Sequence, residues 1–154
     1  VGGHCIAIDP WFIISQNIQT SNLMKTAREV NLQKTNWVIN KIMESFTHFK
    51  KKEGISPILA CFGLTFKANI DDVRESPSVE IISKLQDKGI EILVVEPNIE
   101  TLDNLNIIDL EKTIDRADIF IFLVKHKEFI NLDIDTKLNN KIVLDFCGLL
   151  KMKI

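Results

Sequence analysis

Two residues near the start of the chain have side chains that could take part in covalent catalysis. Cys5 follows the paired glycines Gly2 and Gly3, and Asp9 lies four residues further on. A cysteine thiolate is a strong nucleophile, and a nearby carboxylate can act as an acid or a base or can orient a water molecule. Glycines let the backbone approach a ligand closely. The structural alternative is that Cys5 is a small buried hydrophobe and that Asp9, before Pro10, simply begins a helix.

A second chemical feature is a charged loop, residues 63–77, that follows the first predicted strand. Open parallel sheets bind ligands at the carboxyl ends of their strands. Lys67 and Arg74 precede a helix that Ser76 is expected to cap, and cations beside free N–H groups suit a phosphate or diphosphate. The loop lacks a glycine-rich dinucleotide fingerprint, so we do not expect this domain to hold a whole NAD molecule. The alternative is a self-neutralising solvated network of Lys67, Asp71, Asp72, Arg74 and Glu75.

Other candidate residues have both a functional and a structural interpretation. Glu96 closes the second predicted strand, where its carboxylate could accept a ribose hydroxyl or could begin a turn. Cys61 falls in a predicted buried strand and is expected in the core, and Cys147 in the core or at an edge. His48 and His126 lack metal-ligand spacing, so we expect them to be structural or at the surface and we predict no metal site.

Two helices are predicted before the first strand. Pro10 disfavours helical geometry at Asp9, so Asp9 is expected to be extended and to cap a short helix from Pro10 to about Asn17. Apolar residues every three or four positions then predict a long helix from near Ser21 to about Lys52. At 1.5 Å per residue this helix spans roughly 48 Å, longer than a small domain is wide. We therefore expect it to pack on another domain or subunit.

The rest of the sequence alternates between strands and helices. Continuous runs of apolar, β-branched and aromatic residues predict strands buried on both faces at residues 58–62, 90–95, 119–124 and 142–144. Helices are predicted at residues 76–89 and 109–118. This alternation predicts an α/β fold with a doubly wound parallel sheet, preceded by the long helix.

Composition and charge restrict the classes to which the protein can belong. Of its 154 residues, 45% are hydrophobic and 26% are charged, which is typical of a folded globular protein. Nineteen basic and 21 acidic residues give a net charge of −2, which argues against a nucleic-acid partner. The longest apolar run is too short to cross a bilayer, and three cysteines without a CxxC pair favour a reducing, cytoplasmic setting. We divide the chain into two parts. Residues 1–53 form a helical region that includes the loop around Cys5, and residues 54–154 form an α/β domain.

Three segments of the sequence resemble the UDP-glucose/GDP-mannose dehydrogenase family. They are Gly-Gly-His-Cys-Ile-Ala-Ile-Asp-Pro-Trp-Phe at residues 2–12, Phe-Gly-Leu-Thr-Phe-Lys at residues 62–67, and Asp-Val-Arg-Glu-Ser-Pro at residues 72–77. The similarity continues through residues 26–31 and residues 95–98, so it runs nearly from end to end. It is greatest to the branch that acts on N-acetylated UDP-hexosamines.

The resemblance implies an NAD-dependent enzyme that oxidises the C6 alcohol of a UDP-sugar to a carboxylate in two hydride transfers. In this family a cysteine traps the intermediate aldehyde as a thiohemiacetal and then carries a thioester that water hydrolyses. That cysteine corresponds to Cys5, and the aspartate that assists the water corresponds to Asp9. Arg74 corresponds to the arginine that reaches NAD. The implied UDP-sugar contacts are Gly2, Phe66, Lys67 and Lys151.

Three departures refine what the resemblance implies. His4 replaces the serine usual in UDP-glucose dehydrogenases, and Trp11 favours UDP-N-acetylmannosamine over UDP-N-acetylglucosamine or UDP-N-acetylgalactosamine. Lys151 stands nearest to a family arginine and keeps its charge without its bidentate geometry. The family's N-terminal NAD domain is absent from this sequence, so we expect a C-terminal piece that is inactive alone.

Other interpretations remain open. The chain could be a non-catalytic nucleotide-binding or interaction module that kept the fold, in which case alkylating reagents should modify Cys5 as slowly as Cys61. A redox or metal protein is disfavoured because the cysteine spacings match no ligand set. The resemblance also implies a homodimer formed through the long helix. From the net charge and the short apolar runs, we expect no nucleic-acid or membrane partner.

Overall fold

The computed structural model describes residues 1–102, 105–130, 132, 138 and 141–150. Two helices come first, and strands then alternate with helices, as the sequence pattern predicts. In chain order the described elements are α1 (Asp9–Gln16), α2 (Asn22–Glu53), β1 (Leu59–Phe62), α3 (Pro77–Gln86), β2 (Ile92–Val95), α4 (Leu110–Arg116), β3 (Ile119–Phe122), α5 (Lys127–Ile130) and β4 (Ile142–Asp145).

The four strands form one parallel sheet in the order β2-β1-β3-β4. Cys61 in the central strand β1 pairs with Val94 of β2 on one side and with Ile121 of β3 on the other. Alternate residues of each strand face opposite sides of the sheet, so each face builds its own core. The predicted α/β fold with a doubly wound parallel sheet is therefore confirmed.

Helices cover both faces of the sheet. The second half of α2 and helix α3 cover one face, packing Val38, Ile42 and Ile82 on the aliphatic side of the strands. On the opposite face, helix α4 packs against a cluster of phenylalanines from the strands and α5, namely Phe62, Phe120, Phe122 and Phe129. The two cores hold the strands in place. The loops that follow the carboxyl ends of the strands form the candidate site.

The long helix has two different halves. Its second half is buried at Val38, Ile39 and Ile42, whereas its first half exposes apolar side chains, among them Leu23 and Val30. Predicted to end at about Lys52, α2 ends at Glu53. The second half of α2 packs on the α/β sheet.

The structure corrects three details of the predicted elements. Asp9 is not an extended capping residue: it is the first residue of α1, and the N-cap is Ile8, which has a helical backbone conformation. The reason is that the preceding turn already winds helically, with the Asp9 N–H donating to the Cys5 carbonyl at 2.8 Å. Strand β4 is half-buried rather than buried, whereas β2, the other edge strand, is buried as predicted. The four-residue helix α5 was not predicted.

Candidate functional site

A cleft of about 370 Å³ opens at the carboxyl ends of strands β1, β3 and β4. Helix α2 forms one wall of the cleft, and the start of helix α3 forms another. We call it the strand-end cleft and define it by its lining residues, which include Gly2, Asn31, Lys34, Thr65, Phe66, Lys67, Ser78, Lys125 and Phe146. Its position is the one at which parallel α/β sheets bind ligands.

Among the described residues, three lysines and no acidic residue line the strand-end cleft. Lys67 comes from the β1 loop, Lys125 follows β3, and Lys34 comes from α2. Lys125 donates to the Gly148 carbonyl at 2.6 Å, and Lys34 lies 3.4 Å from the centroid of the Trp37 ring. Within the described part of the chain, no carboxylate lies within ion-pairing distance of Lys67. The cleft is therefore electropositive and suits an anion such as a diphosphate.

The start of helix α3 adds backbone donors at the edge of the cleft. As predicted, Ser76 caps this helix: its hydroxyl oxygen accepts from the Ser78 N–H at 3.2 Å. The same hydroxyl donates to the Leu64 carbonyl at 2.5 Å, which ties the helix to the β1 loop. Ser78 itself lines the cleft, so the positive end of the helix dipole reinforces the lysines.

The paired glycines lie directly against the β1 loop. A Cβ atom added to Gly2 would overlap the Glu75 carbonyl oxygen and lie 2.7 Å from Pro77 Cδ. Gly3 has a φ of +93°, and a Cβ there would lie 2.9 Å from the Phe66 ring. Both positions therefore need glycine, one for space and one also for backbone conformation. The structure brings Gly2, Phe66 and Lys67 together around one cleft.

Arg74 is held outside the strand-end cleft by Asp72. Its Nε lies 3.0 Å from each carboxylate oxygen, and a terminal nitrogen lies 2.6 Å from Oδ2. These bonds lower the pKa of Asp72 to about 2. They also raise the pKa of Arg74, to which the nearby Cys5 side chain adds a smaller contribution. The interpretation of the charged side chains of this loop as a self-neutralising network is therefore correct for Asp72 and Arg74, but not for Lys67.

Cys5 is the exposed member of the three cysteines, all of which the structure describes. Burial raises the pKa of the Cys61 thiol to about 12, as expected for a core residue. Cys147 is half-buried, and burial together with the Asp145 carboxylate raises its pKa to about 12. Asp9 is also exposed and is linked to Cys5 through the hydrogen bond that begins α1.

Glu96 is not available to accept a ribose hydroxyl. Its side chain is fully buried, and both carboxylate oxygens already accept hydrogen bonds from backbone N–H groups, one from Leu64 at 2.7 Å and one from Asn98 at 2.9 Å. The turn interpretation of Glu96 is thus the correct one. His126 is fully buried beside it, at 3.2 Å from Glu96 Oε2. This pair was not recognised in the sequence, although Glu96 directly follows the end of β2 and His126 lies four residues beyond the end of β3.

Two cleft residues were also missed in the sequence. Lys125 lies three residues beyond the end of β3, a position comparable to that of Lys67 beyond β1, so the strand-end rule could have found it. Lys34 belongs to α2 and reaches the cleft only because that helix packs across the sheet. Lys151, named as a substrate contact, lies outside the described residues.

A larger cavity of about 530 Å³ lies between α2 and α3, and Val1 is one of its lining residues. Arg28 and Lys84 line it together with Glu75 and Glu80, so its charge is mixed. The strand-end cleft is the better candidate anion site because its described lining residues include lysines and no carboxylate. Across the described ranges, no cluster of side chains is suited to hold a metal ion. No described helix combines the length and the apolar character needed to span a membrane.

Comparisons with known proteins show the family to which the chain belongs. The family described as "UDP-glucose/GDP-mannose dehydrogenase family, UDP binding domain" matches residues 60–152, and the chain belongs to this family. An NDP-N-acetyl-D-galactosaminuronic acid dehydrogenase from Ralstonia solanacearum is 42% identical over 99% of the chain and 36% of its own length. A UDP-N-acetyl-D-mannosamine dehydrogenase from Campylobacter jejuni is 45% identical over 96% of the chain and 35% of its own length.

A solved structure shows the same fold. The UDP-N-acetyl-mannosamine dehydrogenase from Staphylococcus aureus superimposes with a TM-score of 0.80 at 30% identity, covering 99% of this chain and 36% of that one. The family resemblance stated from the sequence is confirmed. The chain spans about a third of the length of these relatives.

Proposed function

We propose that the chain is the UDP-binding part of an NAD-dependent dehydrogenase that oxidises a UDP-N-acetylhexosamine at C6, with UDP-N-acetylmannosamine as the first candidate substrate. One observation carries the proposal: the glycine turn before Cys5 packs directly on the Phe66 loop, which borders the lysine-lined cleft. This contact would bring the proposed nucleophile, Cys5, near the proposed diphosphate site. The relatives of the mannosamine class, at 45% and 30% identity, support the choice of sugar.

The strand-end cleft would bind the diphosphate of the UDP-sugar. Lys67 supplies an unpaired cation, and the start of α3 supplies backbone donors. Phe66 and Gly2 line the cleft beside Lys67 and would contact the nucleotide sugar. Lys151, which corresponds most nearly to a family arginine, would add a further cation.

The cysteine loop, residues 1–9, would carry out the covalent steps. The Cys5 sulfur adds to the C6 aldehyde, forming a C–S bond, and after the second oxidation holds the sugar as a thioester. Asp9 would orient or activate the water that breaks this C–S bond, which releases the carboxylate product and regenerates the thiol. NAD⁺, when bound, accepts one hydride in each of the two oxidations.

Arg74 is the described residue proposed to contact NAD. Its guanidinium is 65% exposed and uses Nε and one terminal nitrogen on Asp72, so the other terminal nitrogen is free to donate to a cofactor. The described residues contain no glycine-rich dinucleotide turn, and one arginine fits only the edge of a cofactor site. Most of the NAD contacts would therefore come from outside this part of the chain, and the 154 residues alone would be inactive.

The proposal also includes domain organisation, partner and location. Residues 1–53 would form the end of a central helical region and residues 54–154 the UDP-binding domain. The exposed apolar side chains of α1 and the first half of α2, including Phe12, Leu23 and Val30, suit a homodimer contact. Unpaired cysteines are consistent with a reducing cytoplasm.

Removal of the Lys67 charge tests the binding half of the proposal. In the protein expressed from its full reading frame, Lys67→Ala should weaken UDP binding by about tenfold, because a hydrogen-bonded cation is lost from the diphosphate. Isothermal titration calorimetry with UDP measures the change. Lys112→Ala, on the exposed side of α4, is the matched control and should bind as the unaltered protein does. Equal affinities for the two variants, or no binding of UDP at all, would contradict the proposal.

A second sugar has support of its own. The Ralstonia solanacearum relative, a dehydrogenase of the galactosaminuronic class, is 42% identical over nearly the whole chain. A UDP-N-acetylgalactosamine or UDP-N-acetylglucosamine substrate is thus the alternative. Comparison of kcat/KM for the three UDP-N-acetylhexosamines, with NAD⁺ saturating, would choose among them. Turnover of none of them would favour a non-catalytic nucleotide-binding module.

A further inference from the structure

We propose that His126 is a positioning residue, which together with Glu96 holds residues 64–69 in the conformation that presents Phe66 and Lys67 to the strand-end cleft. We call residues 64–69 the lysine loop. This inference rests on the proposed function, because it assigns a role in UDP-sugar binding to two residues that do not touch the ligand themselves. It is carried by a set of hydrogen bonds beneath the loop.

His126 contributes an acceptor on one side of its ring and a donor on the other. The backbone N–H of Asn69 points at Nδ1 from 3.0 Å, and the Asn98 side-chain nitrogen lies 2.9 Å from the same atom. A backbone N–H can only donate, so Nδ1 must accept, and the ring proton is assigned to Nε2. From there it faces Glu96 Oε2 at 3.2 Å and Thr65 Oγ1 at 3.3 Å.

Glu96 completes the connection to the beginning of the lysine loop. Its Oε2 accepts both the Nε2–H of His126 and the backbone N–H of Leu64, the latter at 2.7 Å. Burial opposes ionisation of this carboxyl, but the hydrogen bonds from His126, Leu64 and Asn98 outweigh burial and lower the pKa of Glu96. A buried carboxylate that is fully hydrogen-bonded makes a rigid anchor.

These bonds fix the lysine loop at three points along its length. The Leu64 N–H is held by Glu96 and the Asn69 N–H by His126. Between them, the Thr65 hydroxyl accepts from His126 and donates to the Lys67 carbonyl at 2.8 Å. The backbone of the loop is thus bound from below, while the Phe66 and Lys67 side chains remain directed at the cleft.

The backbone of the loop needs such support. Asn69 has a φ of +62°, a left-handed conformation that costs energy in residues other than glycine. Asn69 is held there from two directions, since its N–H donates to His126 and its side-chain oxygen accepts from the Lys127 N–H at 2.9 Å. Without His126 the strain at Asn69 is free to relax, and Lys67 would move with the loop.

Three substitutions at His126 separate the two functions of its ring. His126→Phe keeps the approximate shape and removes both the acceptor at Nδ1 and the donor at Nε2. His126→Asn keeps an acceptor near the place of Nδ1, and so should restore part of the hold on Asn69. His126→Gln keeps a donor near the place of Nε2 and should restore part of the bond to Glu96. Thr65→Val removes the link to the Lys67 carbonyl without altering the histidine.

The experiment measures these variants in the protein expressed from its full reading frame. With NAD⁺ saturating, His126→Phe should raise KM for the UDP-sugar and Kd for UDP by about tenfold, while kcat changes less than threefold. The KM and Kd values of His126→Asn, His126→Gln and Thr65→Val should lie between those of the unaltered protein and those of His126→Phe. Thr113→Val is the matched control, because it removes another buried hydroxyl hydrogen bond, on α4, and should leave KM unchanged. Circular dichroism identifies any variant that fails to fold, and conclusions are drawn from the folded ones.

A ¹⁵N spectrum of histidine-labelled protein, assigned by loss of one signal in His126→Asn, should show a neutral ring protonated at Nε2. A ring protonated at Nδ1 would overturn the proposal. So would an unchanged KM in the folded His126 and Thr65 variants, or an equal rise in the Thr113 control. If the unaltered protein binds no UDP, the proposed function fails instead, whereas normal UDP binding that is insensitive to His126 refutes the positioning role alone.

Discussion

The cysteine loop touches the lysine loop at Gly2 and Gly3, yet the structure holds the two loops in different ways. The lysine loop, residues 64–69, is fixed from beneath by the buried Glu96–His126 pair. The cysteine loop, residues 1–9, exposes Cys5 and Asp9 and is held through close backbone contact at Gly2 and Gly3. A binding loop benefits from rigidity before the ligand arrives, whereas a nucleophile must stay accessible. The following predictions test this contrast.

The largest effect is expected at Cys5, the proposed nucleophile. Cys5→Ala should lower formation of the carboxylate product by roughly 10⁴-fold or more, because the aldehyde can no longer be captured covalently. UDP affinity should stay within about twofold, since the binding loop is held independently. NADH absorbance and calorimetry measure the two quantities. Cys61→Ala is the control for loss of a thiol, because Cys61 is buried in β1 and does not line the cleft. Full turnover in Cys5→Ala would show that the cysteine loop does not carry out the covalent steps.

A smaller effect is expected where the two loops touch. Gly2→Ala should lower kcat by roughly 10–100-fold, because its methyl group would overlap the Glu75 carbonyl and push the cysteine loop away from the lysine loop. Gly89→Ala is a useful control, since nothing lies within 4 Å of a Cβ there and the change costs only backbone strain, about 1 kcal/mol. Steady-state kinetics and thermal melts distinguish loss of alignment from loss of stability. Equal losses of activity in both variants would mean that the contact at Gly2 does not align the loops.

The smallest effect is expected at the Asp72–Arg74 pair. The pKa of Asp72 is lowered to about 2 in the folded protein, so any stability that it contributes is fully present above the ordinary carboxyl pKa. That stability is lost as the pH falls from about 4 to about 2. Asp72→Asn should therefore lower the melting temperature by no more than a few degrees at pH 7. The difference in melting temperature between this variant and the unaltered protein should vanish near pH 2. A difference that grows in acid would contradict this assignment.

Much of the architecture was predictable because it follows from local patterns. Four continuous apolar runs predicted the strands to within about two residues, and helical periodicity predicted α2. Ser76 before Pro77 predicted the start of α3. At Asp9 the same kind of local rule failed, because the helical turn from Gly3 to Ile8 leads directly into α1.

The candidate site was predictable only in part. The strand-end rule located Lys67, and the family resemblance pointed to Cys5, Gly2 and Phe66. The cleft lysine at Lys34 was missed because it comes from a helix that reaches the cleft by packing across the sheet. Glu96 was given a ligand role as one alternative, and the structure instead uses both of its oxygens internally.

By itself the sequence determined the order of strands and helices, the charged loop and the family to which the chain belongs. These depend on periodicity, capping residues and short motifs, all of which are local along the chain. Tertiary structure decided which side chains meet: that Gly2 touches the β1 loop, that three lysines share one cleft, and that His126 accepts from Asn69. Contacts between residues some 60 positions apart depend on how the strands order themselves in the sheet, and no local pattern encodes that order.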